Sequence, residues 1–225
     1  MQLEQVVPWG RSLAEYRLMF DLTSADLERS ILGCGDGPAS FNAELTERGG
    51  QAVSIDPVYQ FSADQIRARI TEVCPDILAQ LETTRDQYVW DSIRDVDHLA
   101  QVRMTAMERF LADYEAGRQA GRYLSGGLPE LPFADREFEL ALCSHFLFLY
   151  SAQVDLQQHI AGMKALCRVA REVRVYPLLT LAGEVSPYVK PVMDSLVDSG
   201  ATVEIRRVDY QFQKGATRML VVRNG

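Results

Sequence analysis

The most informative stretch of the sequence is Ile31-Leu32-Gly33-Cys34-Gly35-Asp36-Gly37-Pro38-Ala39-Ser40-Phe41. A short apolar segment runs here into a cluster of glycines, and Phe41 and Leu45 follow at the spacing of a buried helix face. We expect this helix to end at Gly49-Gly50, and the next apolar segment, 52–55, ends at Asp56-Pro57. Strand, glycine turn, helix, strand and acid, in this order, form half of a nucleotide-binding sandwich.

The glycine turn and Asp56 predict a site for an adenosine ligand at the carboxyl edge of the sheet. Glycine lets a ligand approach the backbone closely, and the amides of a helix start can meet a polar or anionic group. Asp56 follows Gly35 at a spacing of roughly 20 residues, where a carboxylate can accept hydrogen bonds from both ribose hydroxyls. NAD and S-adenosylmethionine both fit such a site. The GxGxxG spacing of a pyrophosphate loop is absent, since Ser40 stands at its sixth position, and Pro38 removes an amide donor.

The remainder of the chain predicts an α/β sandwich with a mostly parallel sheet. Short apolar segments alternate with amphipathic ones, and two terminal strands, 202–208 and 218–222, are joined through Lys214-Gly215. Such a pair of strands is typical of an antiparallel hairpin, which we expect at the end of the sheet. We expect residues 1–225 to form one domain, because 225 residues is close to the upper end of what a single core organises.

The region 61–121 interrupts this alternation and predicts a helical insertion after the second strand. Ser62 and Gln65 form a plausible capping box, and Cys74-Pro75 predicts a break in the helix that follows. The insertion leaves the sheet directly after Asp56. Such an insertion serves either as packing decoration or as a lid. We predict that it covers the acceptor side of the site, with its aromatic residues as a wall for a small apolar substrate. Those residues are Tyr88, Trp90, Phe110 and Tyr114.

Composition and charge exclude several classes of partner. The formal net charge is −8 at pH 7, which disfavours nucleic acid and anionic membranes as partners. Four cysteines without a CxxC pair are typical of reduced thiols in a cytoplasmic protein. The segment 1–4 contains Glu4 and precedes no apolar stretch, so we expect no secretion signal. The three scattered histidines predict no metal site.

Three segments together resemble the class I S-adenosylmethionine-dependent methyltransferases. The stretch 31–41 is similar to the first motif of that family, and Val53-Ser54-Ile55-Asp56 is similar to its ribose-binding strand end. The most specific of the three segments is 131–143, LPFADREFELALC, which resembles the stretch written LPFxDxxFDxVxC in many members. The resemblance covers most of the chain outside the insertion. It implies a bacterial-type member of the family with a Rossmann-like sandwich: a mostly parallel seven-stranded sheet with an antiparallel C-terminal strand.

The resemblance also implies a set of site residues. S-adenosyl-L-methionine would be the cofactor, held by Gly33, Gly35, Gly37, Asp56, Pro57, Gly127, Leu128 and Ser144, and His145 is the candidate general base. Tyr16, Arg11 and Tyr150 are further candidates for lining the acceptor pocket. The chain departs from the family pattern at Gly33, where the family has an acid, at Ala39 in place of a third glycine, and at Gly127, where an acid often meets the adenine.

The function implied is methyl transfer from S-adenosyl-L-methionine to a small-molecule acceptor. Ser144-His145-Phe146-Leu147 stands where nucleic-acid amino-methylating enzymes carry an Asn/Asp-Pro-Pro-aromatic motif, and the Pro-Cys nucleophile of cytosine C5 enzymes is also missing. Two alternatives stay open. One is a weakly active or inactive binding protein of the same fold, because of Gly33 and Gly127, and the other is a nucleotide-dependent oxidoreductase.

Overall fold

A computed structural model describes residues 9–224 of the chain. The segment for which we expect no secretion signal, 1–4, lies outside these residues. The strands are β1 (Ser30–Cys34), β2 (Gln51–Ile55), β3 (Tyr123–Leu124), β4 (Phe138–Ser144), β5 (Ala170–Tyr176), β6 (Thr202–Arg207) and β7 (Arg218–Arg223). The α-helices are α1 (Leu13–Met19), α2 (Phe41–Glu47), α3 (Ala63–Thr83), α4 (Val96–Gln119), α5 (Leu156–Val169) and α6 (Val189–Asp198). Short 3₁₀ helices span Asp26–Glu28, Pro57–Gln60 and Arg85–Gln87.

The seven strands form one mixed sheet in the order β3-β2-β1-β4-β5-β7-β6. The first five strands of that order pair in parallel, whereas β7 is antiparallel to both β5 and β6. The predicted fold class is confirmed: a mostly parallel sheet, with helices on its faces and an antiparallel C-terminal strand. The parallel pairing brings the carboxyl ends of β1, β2, β4 and β5 to one edge, where ligands of such sheets bind.

Apolar side chains on both faces of the sheet explain why its central strands are continuous hydrophobic runs. In β4, Ala141 and Cys143 pack with α5 and α6 on one face, and Leu140 and Leu142 pack with α1 and α2 on the other. Strand β7 divides its residues in the same way. The two faces thereby form two apolar layers with the sheet between them.

Two long helices, α3 and α4, lie between β2 and β3, in the region predicted as the helical insertion. They run antiparallel, since Glu115 near the end of α4 accepts from the amide of Ala63 at the start of α3. The capping box of Ser62 and Gln65 is present. The predicted break at Cys74-Pro75 is wrong, because α3 continues through Pro75.

The packing of α3 explains why Pro75 does not end the helix. Ile66 and Ile70 before it, and Ile77 and Leu81 after it, lie on one buried stripe, while Pro75 is on the exposed side. Burying each of these side chains contributes about 1.5–3 kcal/mol, which together exceeds the cost of roughly 3 kcal/mol for an internal proline.

Candidate functional site

A cavity of about 430 Å³ opens at the carboxyl edge of the sheet. It lies between the ends of β1, β2, β4 and β5 on one side, and α3 and the β6–β7 loop on the other. Of the predicted site residues, Gly35, Gly37, Asp56 and Pro57 line it from the first half of the sheet. The others that line it, Gly127, Leu128, Ser144 and His145, come from the segments that follow β3 and end β4.

The glycine loop after β1 has the backbone conformation that its glycines allow. Gly35 and Gly37 have φ angles of +71° and +54°, in the left-handed region that favours glycine. The amide of Gly35 donates to the carbonyl of Ile55 at 3.0 Å, which ties the loop to the end of β2. A Cβ on Gly35 would lie 3.0 Å from the Cβ of Phe146. This turn therefore passes close beside the segment that follows β4.

Asp56 holds the glycine loop against the start of the helical insertion. Its Oδ2 accepts from the amide of Gly37 at 2.9 Å, and its Oδ1 accepts from the amide of Val58 at 2.8 Å. Burial raises the pKa of this carboxyl, although both amide hydrogen bonds favour its ionised form. Each oxygen has a second lone pair, so the carboxylate can still accept hydrogen bonds from a ligand in the cavity.

Gly33 is the one predicted cofactor residue outside the cavity lining. It lies within β1, and the space of its missing side chain is taken by another residue of the same loop. A Cβ on Gly33 would stand 1.8 Å from Oδ2 of Asp36. The carboxylate of Asp36, three residues further along the chain, thus occupies the space that a side chain at position 33 would need.

Asp36 is a functional candidate that the sequence analysis missed. Its buried carboxylate lines the cavity, and it accepts hydrogen bonds from the hydroxyls of Tyr16 and Ser54, both at 2.7 Å. Burial raises the pKa of Asp36 to about 6, against the effect of these two hydrogen bonds. The acid in the glycine loop itself was the available signal, but its orientation depends on the positive φ of the flanking glycines.

Ser144 and His145 end β4 at the centre of the edge. The hydroxyl of Ser144 lies 3.0 Å from Nδ1 of His145, whose backbone has a φ of +53°. Burial lowers the pKa of His145 well below its ordinary value, and the guanidinium groups of Arg11 and Arg103 lower it further. The imidazole is therefore neutral at neutral pH and can accept a proton only as a weak base.

Arg11 lines the cavity beside a buried ion pair. Its carbonyl accepts from the amide of Ser40 at 3.0 Å, which places this segment against the start of α2. Arg103, which is fully buried, donates to Oε2 of Glu15 at 2.6 Å, and the hydroxyl of Tyr210 donates to Oε1 of Glu15 at 2.9 Å. Arg11 therefore lines this end of the cavity, and the ion pair of Arg103 and Glu15 lies behind it.

Apolar and aromatic side chains form the wall opposite the glycine loop. Ile77 and Leu81 of α3, with Tyr88 after it, line the cavity and meet Phe212 of the β6–β7 loop. The rings of Tyr88 and Phe212 stack with their centroids 4.9 Å apart. Trp90 packs edge-on against both of these rings, behind the wall. The insertion therefore does lie over the candidate site, as expected.

Of the four aromatic residues predicted for this wall, only Tyr88 lines the cavity, since Trp90 packs behind it and the other two lie elsewhere. Phe110 and Tyr114 of α4 pack with Tyr59 and Tyr123 in a buried aromatic cluster beside β3. Their helical stripe faces α3 and the edge of the sheet rather than the cavity. By contrast Tyr16 and Tyr150, which we expected beside the acceptor, both line the cavity.

Residues 9–224 offer neither a cluster for a metal ion nor a helix that spans a membrane. No group of three or more His, Cys, Asp or Glu side chains in this part of the chain could hold a metal ion. Within the same residues, every helix is too short or too polar to cross a membrane.

Comparisons with known proteins support the fold. No family model matches the chain. Uncharacterized protein MJ0045 from Methanocaldococcus jannaschii is 29% identical over 228 residues, which cover 99% of this chain and 98% of that protein. The methyltransferase domain of bacterial CtHen1-C is 13% identical, with a TM-score of 0.51 over 95% of this chain and 99% of that one.

A second solved structure is similar over most of this chain. Mitomycin 7-O-methyltransferase MmcR is 12% identical, with a TM-score of 0.50 over 95% of this chain and 54% of that protein. At such identities the likeness concerns the fold alone. The chain has the Rossmann-like fold of methyltransferases, with the antiparallel strand β7 between β5 and β6.

Proposed function

We propose that this protein transfers a methyl group from S-adenosyl-L-methionine to a small-molecule acceptor. The observation that carries this proposal is the pair of carboxylates, Asp36 and Asp56, on either side of the glycine loop in one cavity. The fold it shares with solved methyltransferases adds support. A volume of about 430 Å³ falls in the usual range for small-molecule sites.

The residues present fit the parts of this cofactor. Asp56 would accept hydrogen bonds from the ribose hydroxyls, and Pro57, Gly127 and Leu128 would enclose the adenine. Asp36, rather than Gly33, would attract the positively charged amino-acid end, since it is the carboxylate on that side of the glycine loop. Gly35 and Gly37 leave room for close approach of the ligand to the backbone.

Methyl transfer requires the protein chiefly to position two reactants and to exclude water. When bound, S-adenosylmethionine supplies an electrophilic methyl group on a sulfonium. Ser144 ends β4 and His145 follows it beside the cavity; Ser144 would contact the cofactor, and we assign His145 to the acceptor side. The neutral imidazole of His145 would take the proton of an acceptor that is already acidic, because its pKa is too low for a strong base.

Asp36 also bears on the alternative of an inactive binding protein. That alternative was motivated by the missing acids at positions 33 and 127. The carboxylate of Asp36 occupies the space beside Gly33, so one of the two reasons is removed. We extend the proposal to the chain as a whole: one methyltransferase-like domain over 1–225, with 61–121 as its insertion and the cytoplasm as its compartment.

The substitution Asp56→Ala tests this function. Two hydrogen bonds to a charged group are worth roughly 1.5–3 kcal/mol each, so we expect at least a ten-fold loss of affinity for S-adenosylhomocysteine. Isothermal calorimetry measures this loss, with NADH as a second ligand. Asp56→Asn keeps an acceptor for one of the two amides, of Gly37 and Val58, and Asp76→Ala, on the exposed side of α3, is the matched control.

The outcomes separate the competing functions. Unchanged affinity for S-adenosylhomocysteine in folded Asp56→Ala would remove Asp56 from the site. Tight binding of NADH without any response to S-adenosylhomocysteine would replace the methyltransferase proposal by an oxidoreductase. Binding of S-adenosylhomocysteine with sensitivity to Asp56→Ala supports the assignment, and turnover with labelled S-adenosylmethionine over a panel of acceptors then separates an enzyme from a binding protein.

A further inference from the structure

One cation at the cavity has no acidic partner among residues 9–224. Arg11 donates through Nη1 to the carbonyl of Trp9 at 3.1 Å, and its Nε is buried without any hydrogen bond. No carboxylate of the described chain lies within ion-pair distance of its guanidinium. A buried donor without a partner is destabilising, and more so when the group is charged.

Glu15, whose carboxylate lies near Arg11, already has other hydrogen-bond partners. Glu15 receives Arg103 on Oε2, together with the amide of Ser12 at 3.1 Å, and Tyr210 on Oε1. Burial raises the pKa of Glu15, but the attraction and hydrogen bond of Arg103, the attraction of Arg11 and the amide of Ser12 together outweigh burial and bring the pKa to about 2. Glu15 is therefore ionised at neutral pH and balances one of the two guanidinium groups. The remaining positive charge lies on the cavity side, at Arg11.

The other groups around Arg11 do not supply a negative charge. His145 is neutral, and Tyr16 and Tyr210 keep their protons because burial raises the pKa of each hydroxyl. The acids Asp36 and Asp56 lie along the glycine loop, and neither forms an ion pair with Arg11. Within the cavity, the two acids thus lie along the glycine loop, and the unpaired positive charge lies at Arg11.

We propose that Arg11 binds a carboxylate group of a ligand in this cavity. A guanidinium presents a planar fork that matches a carboxylate with two parallel hydrogen bonds, and the buried Nε is available as one of the donors. The carboxylate has two possible sources, the amino-acid end of the cofactor and an acidic acceptor. For the first source, the assignment of Arg11 rests on the proposed function.

The apolar wall of the cavity fits an acidic acceptor as the source of the carboxylate. Tyr88, Phe212 and Leu81 line the same cavity as Arg11, so an acceptor with an apolar ring and one carboxylate would match both surfaces. An aromatic acid is the simplest such molecule. We therefore use 4-fluorobenzoate as the probe, with the neutral 4-fluorobenzamide as its isostere.

The test combines two ligand pairs with Arg11→Met. Calorimetry compares S-adenosylhomocysteine with 5′-methylthioadenosine, which lacks the amino-acid end. Fluorine NMR compares 4-fluorobenzoate with 4-fluorobenzamide on the protein loaded with S-adenosylhomocysteine. Arg17→Met, an exposed position on α1, makes the same change in charge away from the cavity and is the control. Arg11→Gln retains a donor for the Trp9 carbonyl, should the methionine variant unfold.

A loss of ten-fold or more for S-adenosylhomocysteine, with 5′-methylthioadenosine unaffected, supports the assignment with the cofactor as the source. Loss of the preference for 4-fluorobenzoate over 4-fluorobenzamide supports it with the acceptor as the source. Folded Arg11 variants that behave like Arg17→Met in both experiments would overturn it. If neither adenosine ligand binds the wild-type protein, the proposed function fails, and the fluorine experiment on the free protein still decides whether Arg11 binds a carboxylate.

Discussion

Replacing Asp36 by Asn should make the free protein more stable at neutral pH while weakening its affinity for the cofactor. The carboxylate of Asp36 is buried beside Gly33, with hydrogen bonds from Tyr16 and Ser54 and no cation in contact. Asparagine has the same shape without the charge. Its amide can accept from the Tyr16 hydroxyl and donate to the Ser54 oxygen, so both contacts can be kept.

The size of the effect follows from the pKa of Asp36. Burial raises this pKa from 3.8 to about 6. A difference of about 2 in pKa corresponds to about 3 kcal/mol, since each pKa unit is worth about 1.36 kcal/mol. At pH 7 the folded chain therefore carries a cost of up to about 3 kcal/mol for this ionised group. We expect Asp36→Asn to recover about 1–3 kcal/mol of unfolding free energy.

The pH dependence provides the sharper measurement. Below about pH 4 the carboxyl is protonated in both the folded and the unfolded chain, and it makes no difference to stability. Between about pH 4 and pH 6 the unfolded chain releases the proton first, so wild-type stability falls as the pH rises. Urea denaturation from pH 4 to pH 8 should show the gain of Asp36→Asn growing over this window and then levelling off.

Asp76→Asn, with the same change in charge at an exposed position of α3, is the control for the general loss of a negative charge. Calorimetry with S-adenosylhomocysteine completes the experiment, because the neutral side chain no longer attracts the ammonium of the cofactor. A gain in stability that is independent of pH, or a loss at every pH, would refute the electrostatic reasoning. Unchanged affinity would refute the role of Asp36 in the site.

Two further predictions concern single residues of the glycine loop and of α3. Gly35→Ala should lower the unfolding free energy by more than the roughly 1–2 kcal/mol of a left-handed backbone, because its Cβ would press on Phe146. The same contact should lower the affinity for S-adenosylhomocysteine. Gly37→Ala, which also has a positive φ but open space around its Cβ, is the control. If calorimetry and thermal unfolding showed equal losses for the two variants, the contact with Phe146 would not explain the loss in Gly35→Ala. Pro75→Ala should stabilise the protein by up to about 3 kcal/mol in urea denaturation without changing ligand affinity, since Pro75 interrupts an otherwise regular exposed helix face. If Pro75→Ala instead lowered the unfolding free energy, the proline would be relieving a strain in α3 that alanine does not relieve.

The order of elements and the edge that carries the site could be predicted from the sequence. Hydrophobic periodicity and the glycine loop are local signals, and parallel pairing then brings the ends of β1, β2 and β4 together without further information. Asp56 was predicted at the cavity edge for this reason, whereas Gly127 and His145 were implied by the family resemblance, and the structure brings all three to the edge.

The parts that sequence reasoning missed depend on side-chain direction and distant contacts. Whether Asp36 points towards Gly33 or towards solvent depends on the φ angles of its neighbours, which the sequence does not display. The contact of Glu15 with Arg103 and Tyr210 joins three segments far apart in the chain. Phe110 was misplaced because helical spacing identifies a buried stripe but not what the stripe faces.

The contact between the segment after α3 and the β6–β7 loop should also affect how fast a ligand leaves the cavity. The amide of Val89 donates to the carbonyl of Phe212 at 2.8 Å, and the amide of Lys214 donates to the carbonyl of Gln87 at 2.9 Å. These hydrogen bonds join two connections that belong to opposite halves of the sheet, and the Tyr88–Phe212 stack lies between them. A ligand that leaves past this wall must separate groups held by both kinds of contact, so the residence time of the product would follow the strength of this backbone pairing.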